Sequence, residues 1–555
     1  MPEACDGLNS GQSLLEDKMV REEAPSSESH GKQGGWVTFP FIIGCIGCLT
    51  LANGGWLSNL MVYLIQQYNI NTINAALILN VLSGCLSVFP VVGALIADSF
   101  LGSFSVIVIS SCISLLGIIS LTLTATINPL RPQGDDHSPS KLQYTILYLG
   151  IVLASIGVGG SRFTLDIVKD QNVFFTLYAA FLASSTAIVY IEDNVSWGWG
   201  FGISLAANVV GLAIFLLGNR FYCSHMPRGS PFTTLAQVLV AAARKKLSRL
   251  PGSDDYYYGE EHVGKVMDGV LTKSFSCLNK ATLVTEGDVN SDGSIAKPWN
   301  LCKVEEVEDF KTLLRILPLW STSIFLSVPI AIQASLTILQ AVTMDRHIGP
   351  NFKIPASSFL VIVFISTTVF LILIDRFIFP LWEKFLGWSP RPLQRVGIGH
   401  VLNVLGMVVS AVVESKRLKI ANAHHLEGQP EAIVPMLSIW LFPQLVLVGI
   451  GEVFHFPGQV GLYYQEFPTS LRSTATAMIS MVIAVSYYLS PALIDLLRRV
   501  TKWLPDDINQ GRLDNVYWMI SVIGAINFGY YLVCAKCYRY QNVEHRVKGG
   551  STLEN

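Results

Sequence analysis

The chain has 555 residues, of which 51% are hydrophobic and only 14% charged, with a mean hydropathy of +0.46 and a formal net charge of −2. That balance is too apolar for a soluble domain and places the chain among polytopic membrane proteins. Near-neutral charge also argues against a nucleic-acid partner.

The first 35 residues carry Glu16, Asp17, Glu22 and Glu23 and no apolar h-region, so they are no signal peptide and are expected to stay cytosolic. At about 20 apolar residues per crossing, twelve spans follow: 38–65, 73–97, 104–127, 142–165, 173–191, 198–219, 312–340, 356–381, 394–414, 433–461, 471–496 and 515–537. An even number puts both termini on one side. The polar segment 220–311 divides the chain into an N-terminal bundle, 36–219, and a C-terminal bundle, 312–540, before a tail from 541 to 555. The predicted fold class is therefore an all-α membrane protein, two six-helix bundles in the major facilitator layout, rocking about a midplane site.

Cys45-x-x-Cys48 and Cys534-x-x-Cys537 have redox-like spacing but fall in predicted spans, where cysteine packs as a small apolar residue. No metal site, cofactor or disulfide framework is expected. Asn194-Val195-Ser196 is the one glycosylation sequon, in the short loop after span five that is expected outside the cell. Within 220–311, Pro231 to Lys246 reads as a helix with Ser230 as N-cap and a basic end that suits the helix dipole. It is expected either to lie along the inner membrane face or to be an ordinary loop helix. Gly252 to Ala296 reads as flexible linker. Lys416, Arg417 and Lys419 are expected in an outer loop, against the charge bias that otherwise supports cytosolic termini.

Charges inside the membrane are costly and mark pathways or relays. Glu452 lies in the apolar run Val434 to Tyr464, with His455 as the one other side chain there that titrates near neutral pH. Arg162 is eighteen residues past Tyr144 in span four, and Glu452 is eighteen past Val434 in span ten, so the count allows the two to meet at one level. A pair between the bundles, neutral when closed and broken when a partner binds an anion or proton, is the bistable element that alternating access needs. A static buried pair, or an Arg162 that snorkels to the interface, are the competing readings. His455 is either a further anion donor or a packed, hydrogen-bonded histidine. At the end of span two, Gly93, Asp98 and Gly102 form a glycine-flanked carboxylate, read as an inner gate capping a neighbouring helix or as a solvated loop aspartate.

These motifs resemble the plant nitrate/peptide transporter family, the proton-coupled oligopeptide branch of the major facilitator superfamily, and most of all its nitrate excretion subgroup. The carriers are the stretches Gly34 to Phe41, Gly159 to Arg162, Gly229 to Thr233, Gly451 to Gly458 and Trp503 to Asn509, within a match covering about 34–545. The resemblance implies a pair between Arg162 and Glu452. It also marks departures. The family's span-one proton motif falls on Ile46, Leu49 and Thr50, and the span-seven histidine of some nitrate-uptake relatives falls on Ile330. Ser103 stands where a basic residue is usual, and Val106 where one relative has a phosphorylatable threonine. Between Thr164 and Phe175 roughly a dozen residues of the family pattern are missing, leaving span five near the ~17-residue limit for a crossing.

The expected function is passive efflux of nitrate, or a similar small anion such as chloride, across the plasma membrane. A proton-coupled peptide or organic-solute carrier and a non-transporting sensor are the alternatives. An enzyme is not expected, and oligomeric state is not legible.

Overall fold

A computed structural model describes residues 37–132, 139–162, 171–222, 231–245, 256–258, 263–265, 272, 274–285, 287–290, 294–350, 352–426, 429, 432–467, 472–505 and 507–538. Ten helical runs among them are long and apolar enough to cross a bilayer. One of these, Thr72–Thr126, would stretch about 80 Å if straight, far beyond one bilayer. It breaks at Gly102, where φ is +73° and a side chain would be strained. Spans two and three thus meet through the π-turn Ala97–Leu101. Helical residues 171–194 add the remaining crossing, giving twelve among the described residues, as the apolar runs predict.

Span one is Phe39–Tyr68, broken at Asn59; span four is Lys141–Arg162 and span six Trp197–Leu217. The second bundle comprises Val304–Val342, Ala356–Leu386, Pro392–Ala423, Ser438–Glu466, Arg472–Val500 and Leu513–Cys537 as spans seven to twelve. Small residues let helices approach closely where lipid offers no hydrophobic drive. A Cβ on Gly117 of span three would lie 2.2 Å from the Ala154 nitrogen of span four, and one on Gly157 would lie 2.3 Å from the Ser114 nitrogen. Pro90, Pro329, Pro457 and Pro491 sit inside spans, where neighbouring helices accommodate the backbone groups that proline frees. Side chains such as Leu116, Val152, Ile526 and Val533 remain exposed, as a surface against lipid tails requires.

Four expectations are corrected. Span five is not at the length limit: a 13-residue α-segment, a 5-residue π-turn and a 6-residue α-segment run without a break, about 36 Å in all. Span nine does not end at 414. It runs to Ala423 and carries Lys416, Arg417 and Lys419 within the helix, because Arg417 is neutralised by Glu414 and both are fully buried. The apolar start of span ten is not helical: Val434–Leu437 is a strand paired in parallel with Met344–Asp345, and helix begins only at Phe442.

The fourth correction concerns the linker. The helix Pro231–Arg244 buries Val238 and Ala241 against Leu278, Ala281, Cys302 and Val307, so its apolar face is covered by protein. Ser230 lies outside the described residues. Part of 252–296 is ordered rather than flexible, since Asp288 is almost wholly buried and holds Lys245 at 3.1 Å and Asn300 at 2.6 Å.

Candidate transport pathway

The bundles are tied together by polar contacts in the halves of the spans farther from the termini. Asn80 of span two donates to Ser335 of span seven (3.2 Å) and to Ser490 of span eleven (3.1 Å). Ser357 of span eight donates to the Asn59 side-chain amide oxygen Oδ1 (2.9 Å), and Ser358 to the Ser185 backbone carbonyl (2.9 Å). Nearer the loops, Arg498 reaches Asn74 (3.4 Å), Arg346 approaches Asp193 (3.9 Å), and Tyr190 stacks on Phe352. This end of the molecule is sealed by hydrogen bonds that a rocking motion would have to break together.

Glu452 sits deep in span ten, where its side chain is surrounded by protein but keeps partial accessibility. Tyr487 of span eleven lies within its electrostatic reach. Arg162 is the last described residue of the span-four helix; its side chain, like that of Asp98, lies outside the described residues. Equal residue counts do not transfer to equal depth, because span ten opens with strand and 3-10 turn rather than α-helix. Packing gives a better gauge. Gly157 lies against Ser114, twelve residues above the break at Gly102, and Gly451 lies against Asn403, eleven residues above the start of span nine at Pro392. By that gauge Glu452 is near the level of Gly157, and the Arg162 backbone lies about 7 Å nearer the termini along its helix.

His455 is placed elsewhere than its sequence neighbour suggests. It is fully buried, with its ring 5.7 Å from His400 of span nine, and a Cβ on Gly399 would touch it. His400 in turn stacks on Tyr531 of span twelve at 4.6 Å. Three residues along a helix is 60° short of a full turn, and His455 is fully buried while Glu452 keeps partial accessibility. Gly93 is buried in span two, and Gly102 supplies the positive φ of the turn that Asp98 occupies. Sequence reasoning missed Glu192 of span five, which is buried beside Asn59 at the sealed end with no hydrogen-bond partner for either oxygen among the described residues. Its setting, Tyr190-Ile191-Glu192-Asp193-Asn194, reads as a polar loop, and nothing local signals that the helix continues through it.

Residues 104–511 match the PTR2 model, described as the POT family. The chain belongs to the POT family. It is 50% identical over 544 residues to Arabidopsis thaliana protein NRT1/PTR FAMILY 2.7, covering 94% of this chain and 96% of that one. It is 48% identical over 552 residues to NRT1/PTR FAMILY 2.6 of the same plant, covering 96% and 98%. Among solved structures, the POT family transporter PepTSo aligns with a TM-score of 0.67 at 15% identity, over 92% of this chain and 99% of that one. An auto-inhibited POT family peptide transporter aligns at 0.65 and 17%, over 90% and 97%. At those identities the likeness shows the fold. This POT-family chain is thus a multi-pass membrane transporter, not an enzyme.

Within this POT-family chain, span one offers no acid at the positions of the expected proton motif. Ile46 and Leu49 are buried, and Leu49 joins Cys45, Ala97, Val106, Ile107 and Phe215 in an apolar cluster. Those positions have become packing between spans one, two, three and six.

Proposed function

We propose that this transporter carries nitrate, or a similar small anion such as chloride, outward across the plasma membrane by passive alternating access, with both termini cytosolic. The observation that carries this reading is the contrast between Glu452, a carboxylate deep in span ten that keeps partial accessibility, and a span one that presents Ile46, Leu49 and Thr50 where a proton relay would need acids. A membrane potential of about 100 mV, inside negative, is worth about 2.3 kcal/mol per charge and pushes an anion outward. Uptake against it would need more than one coupled proton, while export needs none.

In this mechanism Arg162 supplies the positive charge for the anion and Glu452 its partner in the empty carrier. The anion displaces Glu452 from Arg162, and loss of that bond between the bundles frees them to rock. With cytosolic termini, the sealed end is the extracellular one, so the fold described is inward-facing. Asp98, between Gly93 and Gly102, then gates the cytosolic end. His455 acts through His400 to hold span ten in place rather than by touching the anion.

The test is anion flux in proteoliposomes at fixed voltage, with and without a pH gradient. Nitrate efflux independent of the gradient, and abolished by Arg162→Ala or Glu452→Gln, is the expected result; unchanged efflux in both variants would remove the site. Because solved POT relatives are named as peptide transporters, a proton-coupled peptide carrier is the second reading, and uptake that rises on external acidification would select it. A span five long enough to cross the bilayer supports transport over a non-transporting sensor.

A further inference from the structure

The ends of spans eight, nine and twelve nearest the termini enclose a cleft of about 830 Å³ on the lipid-facing side of the C-terminal bundle. Its mouth carries Arg391, immediately before span nine, and Lys536, in the last turn of span twelve. The described residues that line it include no acidic side chain. Two tryptophans flank the cations, Trp382 and Trp388, packed edge to face at 5.6 Å. The Trp382 indole nitrogen is buried and has no acceptor among the described residues. Deeper in, the lining turns aliphatic, with Val401 41% and Leu532 51% exposed. The 32-residue helix of span nine also begins here, directing the positive end of its dipole to the same place.

We propose that this cleft is a binding site for one anionic glycerophospholipid of the leaflet facing the termini. The chemistry is ordered by depth. Cations, a tryptophan pair and a helix N-terminus stand at headgroup level, where they fit a phosphodiester, and aliphatic surface below takes an acyl chain. Tryptophan with lysine or arginine is the usual marker of the membrane interface, and basic pockets between spans on this side suit anionic headgroups. A free anion would leave the aliphatic floor uncovered, and a zwitterionic lipid would set its own cation against Arg391 and Lys536.

The test is native mass spectrometry of the full chain from mixed micelles with equal amounts of phosphatidylglycerol and phosphatidylcholine. One retained phosphatidylglycerol is expected, preferred roughly fivefold per cation. Arg391→Gln with Lys536→Gln should bring the preference to about unity, while Arg391→Lys alone should retain most of it. Equal retention of phosphatidylcholine by the wild type would overturn the proposal. So would displacement of the lipid by equimolar inorganic phosphate, which would make the cleft a simple anion site. Loss of neither lipid on substitution would show that the cations do not recognise the headgroup and would equally overturn it.

Discussion

Arg417 and Glu414 stand one helical turn apart in span nine with no accessible surface on either, joined by two hydrogen bonds, Nε to Oε2 at 2.9 Å and Nη2 to Oε1 at 2.7 Å. The remaining capacity of the pair is filled from span seven with its C-cap and from the loop before span twelve. Gln340 of span seven donates to Glu414 at 2.7 Å, and Arg417 donates to Asn509 at 2.6 Å and to Thr343 at 3.3 Å. Tyr517 of span twelve closes the set by donating to Gln340 at 3.2 Å. The pair therefore fastens spans seven, nine and twelve to the loop before span twelve, making the far end of the C-terminal bundle one rigid body.

Removing one partner leaves the other charge buried and alone, which costs about 3–5 kcal/mol. Arg417→Met is expected to lower the thermal midpoint of the detergent-solubilised protein sharply. Adding Glu414→Gln should restore part of the loss, because no orphan charge remains. A double variant no more stable than Arg417→Met would contradict this account of the pair.

Among the described residues, Asn80 bonds two spans of the opposite bundle, seven and eleven. Asn80→Ala removes both bonds, about 2 kcal/mol together, and should shift the balance away from the sealed form by roughly 30-fold. Spin labels at Asn74 and Arg498, which face each other across the same seam, would report this as a longer distance population. An unchanged distance distribution would show that the seal is held by the other contacts.

Much of the architecture was legible because crossing a membrane leaves a coarse signal. Twelve apolar runs can be read from length and composition, and the linker helix from Pro231 onward from its capping signals, whereas the turn at Gly102 shows only in the backbone. What escaped detection depended on partners distant in sequence. Hydropathy ends span nine at Glu414 because it counts Glu414 and Arg417 as two charges, while the fold makes them one neutral pair. The run from Val434 to Leu441 is apolar either way, so only Met344 across the bundle decides that it starts as strand. His455 was grouped with Glu452 by spacing, and Gly399 and His400 of span nine, which receive it, carry no signal of that pairing in the sequence.

The interlock of spans three and four predicts strong intolerance at Gly117. A Cβ there meets the Ala154 backbone rather than a side chain that could rotate away. Gly117→Val should therefore cost about 1–3 kcal/mol or more, seen as a lower aggregation temperature and reduced yield of monodisperse protein. Gly202→Ala of span six, where nothing lies within 4 Å, is the control and should behave as wild type. Equal behaviour of the two variants would mean the spans have room to separate.

The docked linker should respond to acid. Burial alone would raise the Asp288 carboxyl, but hydrogen bonds from Thr285, Asn300 and Lys245, with the Lys245 charge, outweigh it and hold the group below the usual carboxylate range. A folded value below the unfolded one means that ionisation stabilises docking. That contribution is fully present above the unfolded value, about pH 4, and is lost as pH falls through the lowered folded value. Hydrogen exchange of the helix Pro231–Arg244 should therefore show protection that is steady from neutral pH down to about pH 5 and falls only below that. Asp288→Asn loses the charge-assisted bond to Lys245, worth about 1.5–3 kcal/mol, and should expose the helix roughly tenfold or more even at neutral pH. Exchange in the variant equal to wild type would show that Val238 and Ala241 hold the helix without help from the ion pair.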